Sequence, residues 1–360
     1  MKRETFIEMR LLFVRLGFLL TVLAHPACDL DGVDARSTSA ARVVPKLEAI
    51  VPSPLGPSFT MAMGTINGAR YGFLGSAAGI VIFEMSDPAH PLEISTLVTK
   101  GAPQGLFIVG THLFAAGGPG SMIIDVADPQ HPVEVHFLPT PDEARDAMFD
   151  STRELALVVD FLGLRLIDVS TIDRPEQVGA MDISGAPFHA SLDIARKLAL
   201  IVGDASAAGG GSLRLIDVSR PESPMEIASV AMPGSVFDVA FDATRQLALV
   251  VGSGSGQTRS GHLQLVDLSD PKEPEMLGAI DTPGTVFGIA LDTGRQWAVV
   301  VGDGGDRGTG SLRVIDISDP ERPVDIGGLD LPSRSLGILL DADNRLALVS
   351  GGNGLIIVRY

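Results

Sequence analysis

Asp146, His189 and Asp238 are the residues of this sequence whose types and spacing suggest chemistry. Each stands four positions ahead of a further aspartate (Asp150, Asp193 and Asp242) inside matching apolar runs. Two carboxylates and an imidazole can hold a divalent cation or do acid–base work on a water. The competing reading is a solvated polar rim. The same position in the next two runs holds Gly288 and Gly337, so the set is confined to three consecutive runs. Phe188, Phe237 and Phe287 adjoin or neighbour these positions, and packing is the expected role of their rings. His90, His112, His131, His136 and His262 fall at non-equivalent positions and form no cluster.

The runs belong to an internal repeat. One strand recurs, as Leu164 to Asp168, Leu213 to Asp217, Leu263 to Asp267 and Leu312 to Asp316, with relatives ending at Glu84, Asp125 and Arg359. The copies end 41, 43, 49, 50, 49 and 43 residues apart. Each unit holds four strand-like runs separated by turn residues. In residues 236–281 these are Val236 to Asp242, Gln246 to Val251, Leu263 to Leu268 and Glu275 to Ile280. Four short antiparallel strands per unit is the pattern of a propeller blade. The expected fold is therefore all-β, a seven-bladed β-propeller over residues 43–360. The final unit stops after its third strand, and Pro45 to Pro52 resembles the fourth-strand type at Pro224 to Val230. This N-terminal strand is expected to complete the last blade, which also removes two open sheet edges.

The signature Ile315-Asp-Ile-Ser-Asp-Pro-Glu-Arg-Pro323 and its relatives resemble the LVIVD repeat of bacterial and archaeal extracytoplasmic propellers. The first unit departs from it, with Phe83-Glu84 in place of Ile-Asp. Runs such as Phe241 to Val250 are also similar to the YVTN-type propellers of surface-layer proteins. The resemblance implies fold and location; it carries no assigned chemistry.

Asp125, Asp168, Asp217, Asp267 and Asp316 recur too often to be catalytic, and are expected to accept backbone N–H groups in the following turns. The pairs Asp150/Arg153, Asp193/Arg196, Asp242/Arg245 and Asp292/Arg295 are expected to stabilise the first hairpin of their blades. Asymmetry says more than repetition. The connection between second and third strands is long and glycine-rich only in the fourth to sixth units: Gly203 to Ser212, Gly252 to His262 and Gly302 to Ser311. Long connections often carry function. Asp204, Arg259, Asp303 and Asp306 in these loops join Asp146, His189 and Asp238 as candidate ligand-binding residues. Asp303-Gly-Gly-Asp306 would contribute to a Ca²⁺ site, but no complete Ca²⁺-loop spacing is present.

Composition narrows the partners. The formal net charge of -17 argues against nucleic acid and selects no other partner class. No cofactor is expected, though the Asp/His/Asp set would admit a divalent cation. The partner is expected to be a protein, a glycan or a small molecule. Lys2, Arg3, Arg10 and Arg15 followed by the apolar run Leu16 to Ala24 read as an export signal over residues 1–27. Cys28, the single cysteine, is a candidate lipidation site and would give the only membrane attachment; the alternative is cleavage after Ala24 or Ala27. Residues 28–42 read as a tether, and the expected location is periplasmic, outer-membrane or cell-surface. No nucleophile elbow, zinc-protease helix or dinucleotide fingerprint is present. A noncatalytic binding or scaffold module is the leading expectation. The alternative is a hydrolase- or lactonase-like enzyme using Asp146, His189 and Asp238.

Overall fold

Strand segments such as Leu247-Ala-Leu-Val-Val251 are apolar on every side chain. Successive side chains in a strand point to opposite faces, so such runs must be covered on both. A computed structural model of the chain, which describes residues 42–205, 210–254, 260–305 and 309–360, stacks sheets side by side to achieve this. The chain opens with β1 (Lys46–Val51). A four-stranded sheet follows, of β2 (Ser58–Ile66), β3 (Ala69–Ser76), β4 (Gly79–Glu84) and β5 (Leu92–Val98). Next come β6 (Gly105–Val109), β7 (His112–Asp125), β8 (Val133–Asp150), β9 (Leu155–Asp160), β10 (Gly163–Asp168) and β11 (Glu176–Asp182). Two further four-stranded sheets comprise β12 (Ala186–Asp193), β13 (Leu198–Asp204), β14 (Gly211–Asp217) and β15 (Met225–Met232), then β16 (Val236–Asp242), β17 (Leu247–Ser253), β18 (Ser260–Asp267) and β19 (Glu275–Pro283). Another holds β20 (Val286–Asp292), β21 (Trp297–Asp303), β22 (Gly310–Asp316) and β23 (Val324–Leu331). The chain ends with β24 (Ser335–Asp341), β25 (Leu346–Gly351) and β26 (Gly354–Arg359). The protein is an all-β propeller.

The count of seven separate blades is corrected: the described residues form six hydrogen-bonded sheets. Five have four strands, and β6 to β11 form one of six. The cause lies in β7 and β8. Gly118 of β7 pairs with Ala144 of β8 beyond a register shift at Gly118/Gly120, so hydrogen bonding continues from one expected unit to the next. β8 then continues from its pairing with β7 into its pairing with β9. This sheet nevertheless folds around a core. Phe114, Ala116 and Ile123 of β7 pack against Ala144 and Ala147 of β8 and Ala156 and Val158 of β9 in one buried cluster. The first strands β2, β6, β8, β12, β16, β20 and β24 contact one another in that order, and β24 returns to β2. They form the innermost ring.

Closure occurs as the sequence suggests. β1 pairs antiparallel with β26, from Lys46 opposite Arg359 to Val51 opposite Leu355. Ser58 Oγ fastens the next strand to the same sheet, donating to the Gly354 carbonyl at 2.8 Å and accepting from the Gly351 N–H at 2.9 Å.

The repeated aspartates do what their repetition implies. Asp168, Asp217, Asp267 and Asp316 each accept the N–H of the serine two residues on, and Asp125 accepts that of Ala127. The Asp/Arg pairs do more than hold a turn. Arg245 Nε donates to Asp242 at 2.8 Å, while its Nη1 reaches the Ile317 carbonyl of the next sheet at 2.7 Å. Arg153 likewise reaches Val218, and Arg196 reaches Leu268. These guanidiniums are clasps between neighbouring sheets. At the closing sheet Asn344 takes the arginine position, and Arg70 of the first sheet supplies the cation to Asp341 at 2.9 Å.

Candidate functional site

The site is built by a β-bulge near the start of five of the seven inner strands and in the second half of the long β8. The register slips between Ala144 and Asp146, Pro187 and His189, Val236 and Asp238, Val286 and Gly288, Ser335 and Gly337, and Ser58 and Thr60. A bulge leaves one residue unpaired and re-aims the side chains around it. The residue after the slip turns toward the neighbouring inner strand; the bulged residue stands beside it.

The slip brings Asp146, His189 and Asp238 together. His189 Nδ1 is 3.1 Å from Asp146 Oδ2 and 2.9 Å from Asp238 Oδ1. The carboxylates are nearly buried, at 7% and 11% side-chain exposure, and the imidazole is 37% exposed. Neither carboxylate lies along the ring N–H well enough for an aligned hydrogen bond, so the contact is mainly one of charge. The carboxylates are engaged elsewhere. Asp146 accepts the Ala147 N–H at 2.8 Å and, across to β12, the Ala190 N–H at 2.9 Å. Asp238 accepts the Val239 N–H at 2.7 Å and, across to β20, the Ile289 N–H at 2.9 Å. Each aspartate is thus a bolt from one inner strand to the next, and His189 lies between the two bolts.

The electrostatics agree. Burial pushes the His189 pKa down, but the Asp146 and Asp238 charges outweigh it, and the pKa is pushed up to about 10. Burial raises the Asp146 pKa against the pull of His189 and the two backbone donors. At neutral pH the imidazole is a cation, without a lone pair at either nitrogen for a metal or for base catalysis. Among the described residues no group of three or more His, Cys, Asp or Glu is disposed to hold a metal ion.

The glycines at the equivalent positions show the other side of the ring. A Cβ on Gly337 would lie 2.5 Å from the Phe59 carbonyl oxygen, and one on Gly288 3.1 Å from that of Leu336. At Gly337 the inner strands approach too closely for a side chain, and at Gly288 one would be tightly crowded.

The other candidates do not join this cluster. Asp204 ends β13; burial raises its pKa, opposed by a Ser235 hydrogen bond, and its Oδ1 is buried without a hydrogen bond. Asp303 ends β21 and accepts the Thr285 N–H at 2.7 Å. The β16–β19 sheet lies between them. Arg259, Asp306 and Cys28 lie outside the described residues.

The phenylalanines expected to pack do contact one another, and they also stay partly open to water. Phe188 and Phe237 lie 6.1 Å apart between ring centres, and Phe237 and Phe287 5.1 Å, so the bulged residues of β12, β16 and β20 form a continuous arc. Phe161, in the β9–β10 turn, extends it edge-on at 6.4 Å. All four rings are half-buried. A guanidinium caps each end: Arg145 is 4.2 Å over Phe161, and Arg334 is 4.0 Å over Phe287. Arg145, itself buried, also donates to Gln104 at 2.9 Å and meets Glu143 at 3.3 Å. The detectable signal was Phe preceding the slipped residue in three successive units. The bulge, which decides where those rings point, is a tertiary feature.

The LVIVD repeat family matches residues 306–330, which contain β22. The hydrazine synthase of Kuenenia stuttgartiensis shares the fold with a TM-score of 0.67 at 12% identity, over 86% of this chain and 97% of that one. At that identity the likeness concerns architecture alone. No curated protein matches the chain in sequence. Repeated strands and a closed ring of inner strands make the chain an all-β propeller, and its segment 306–330 is similar to the LVIVD repeat.

Proposed function

We propose that the protein is a noncatalytic extracytoplasmic binding module, and that its ligand sits at the channel mouth on the face bearing the long connections of β12 to β23. The six-stranded sheet acts in this reading as two sectors of a seven-sector ring, each contributing one inner strand. The observation that carries the reading is the arc of half-buried phenylalanines beside two carboxylates already engaged by backbone N–H groups. Rings left partly open to water favour an apolar ligand surface. Asp146 and Asp238 spend their oxygens on backbone N–H groups, and His189 is held charged, so the alternative hydrolase reading lacks a free base. The exported location rests on the basic and apolar N-terminal segment of the sequence.

A panel of aromatic acids, sugars, nucleosides and short peptides, read by ligand-induced change in melting temperature, tests this. Wild-type protein is expected to give compounds whose stabilisation disappears in Phe237→Ala. No stabilising compound, or stabilisation unchanged in Phe237→Ala, overturns the site. Turnover of esters or lactones lost in His189→Gln overturns the noncatalytic reading.

A further inference from the structure

Resting on that reading, we propose that the arc binds an uncharged ring compound bearing a carbonyl-type acceptor, its ring on Phe188 and Phe237 and its oxygen on the Nε2–H of His189. The two edges of that imidazole are used differently. Nδ1 lies 3.1 Å from Asp146 and 2.9 Å from Asp238 and is buried, whereas 37% of the side chain is exposed. The open part of the ring therefore carries Nε2, which has no hydrogen-bond partner among the described residues. An imidazolium held between two carboxylates is a donor at both nitrogens. Its buried edge serves the fold, and its open edge is a donor whose direction the fold has already set.

The place of that donor sets the rest of the ligand. His189 follows Phe188 in β12, and its Nδ1 meets Asp238, which follows Phe237 in β16. The two half-buried rings, 6.1 Å apart and tilted at 35°, border the imidazole. Tilted rings offer edges and faces to a planar guest, an arrangement aromatic groups prefer over a parallel sandwich. The equivalent positions of β8, β16, β20 and β24 hold Asp146, Asp238, Gly288 and Gly337, none of which presents a side-chain donor when the aspartates are ionised. The same surroundings select against an anion. A ligand oxygen about 3 Å from Nε2 lies about 7 Å from each carboxylate, and by Coulomb's law two repulsions then offset most of the attraction to one imidazolium. A neutral carbonyl takes the charge-assisted hydrogen bond without that repulsion. A hydrocarbon of the same shape would cover the Nε2–H and leave it unpaired, which is the source of discrimination.

The test uses three probes on the full chain: 1-indanone, indane, in which a methylene replaces the carbonyl, and indane-1-carboxylate. Ligand-observed NMR gives the affinities, and nitrogen-15 NMR of histidine-labelled protein reads Nε2. Wild-type protein is expected to bind 1-indanone about tenfold more tightly than either of the others. The His189 Nε2 signal should move with 1-indanone and stay in place with indane. A variant at His189 would also unpair its two carboxylates, so the donor is read in the wild type. Phe237→Ala should weaken 1-indanone and indane alike, at least fivefold; if its melting temperature falls, Phe237→Leu, which stays apolar and loses the ring, takes its place. Equal affinities, tighter binding of the carboxylate, or an Nε2 signal unmoved at saturation overturns the acceptor assignment while leaving the arc as a binding surface. If no probe binds at millimolar concentration, or the Phe237 variant has no effect, the proposal fails. The broader binding reading then stands or falls on the compound panel alone.

Discussion

Removing Asp238 separates a structural bolt from a functional carboxylate. In Asp238→Ala, the buried Val239 and Ile289 N–H groups lose their acceptor, and His189 loses one of two counter-charges. Each buried donor left unsatisfied costs about 1–3 kcal/mol, and breaking a buried ion pair from one side about 3–5 kcal/mol. These overlap, because the same carboxylate serves all three groups, so the expected total is about 3–5 kcal/mol. Asp238→Asn keeps one acceptor oxygen and loses the charge, and should cost about 1–3 kcal/mol. Urea denaturation followed by circular dichroism and by Trp297 fluorescence measures both, with Trp297 reporting from the neighbouring sheet. A loss under about 1 kcal/mol for Asp238→Ala, or a gain, would refute the reasoning. A gain is what a carboxylate kept for catalysis at the expense of stability would show.

Arg245→Ala should cost about 1–3 kcal/mol, since the side chain joins Asp242 to the Ile317 carbonyl of the next sheet. Arg245→Lys should not restore it, because a single ammonium cannot reproduce the planar fork; full rescue in a denaturation curve would contradict the clasp. Gln246 has a φ of 56°, where a side chain is strained, so Gln246→Gly should raise stability by up to about 1 kcal/mol, and a lower melting temperature would oppose this. Deleting residues up to Val51 uncovers the β26 edge, and light scattering should show self-association. A monomer of unchanged melting temperature would mean β1 is dispensable.

Much of the fold was legible in the sequence because two-sided apolar runs such as Leu247 to Val251 have few alternatives to a buried central strand. The turn aspartates were legible for a similar reason: a carboxylate repeated in five successive units answers a local backbone need. The continuous sheet from β6 to β11 was not. Gly117 to Gly120 reads as a turn in isolation, and only the tertiary pairing of Gly118 with Ala144 carries the ladder across. For the candidate site, aligning on Asp150, Asp193 and Asp242 brought Asp146, His189 and Asp238 to one place. Their occupation by backbone donors could not be read, because the partners Ala190 and Ile289 contribute main-chain groups that any residue would supply. Arg145 and Arg334 do not recur in the repeat, and nothing in their sequence context marks them as caps on an aromatic arc.

The charge of His189 tests the account most directly. The ordinary imidazole pKa is 6.5 and the folded value about 10. This group's contribution to stability is thus fully present below pH 6.5 and lost as the pH rises through 10. Solvent over the exposed part of the ring limits that contribution to about 1–2 kcal/mol. Nitrogen-15 NMR of histidine-labelled protein between pH 6 and 11 reads the ring directly, with His189→Gln assigning the signal. The expected result is an imidazolium at pH 8 that titrates near 10. A neutral imidazole at pH 8 would contradict it and return His189 to the candidates for a base or a metal ligand.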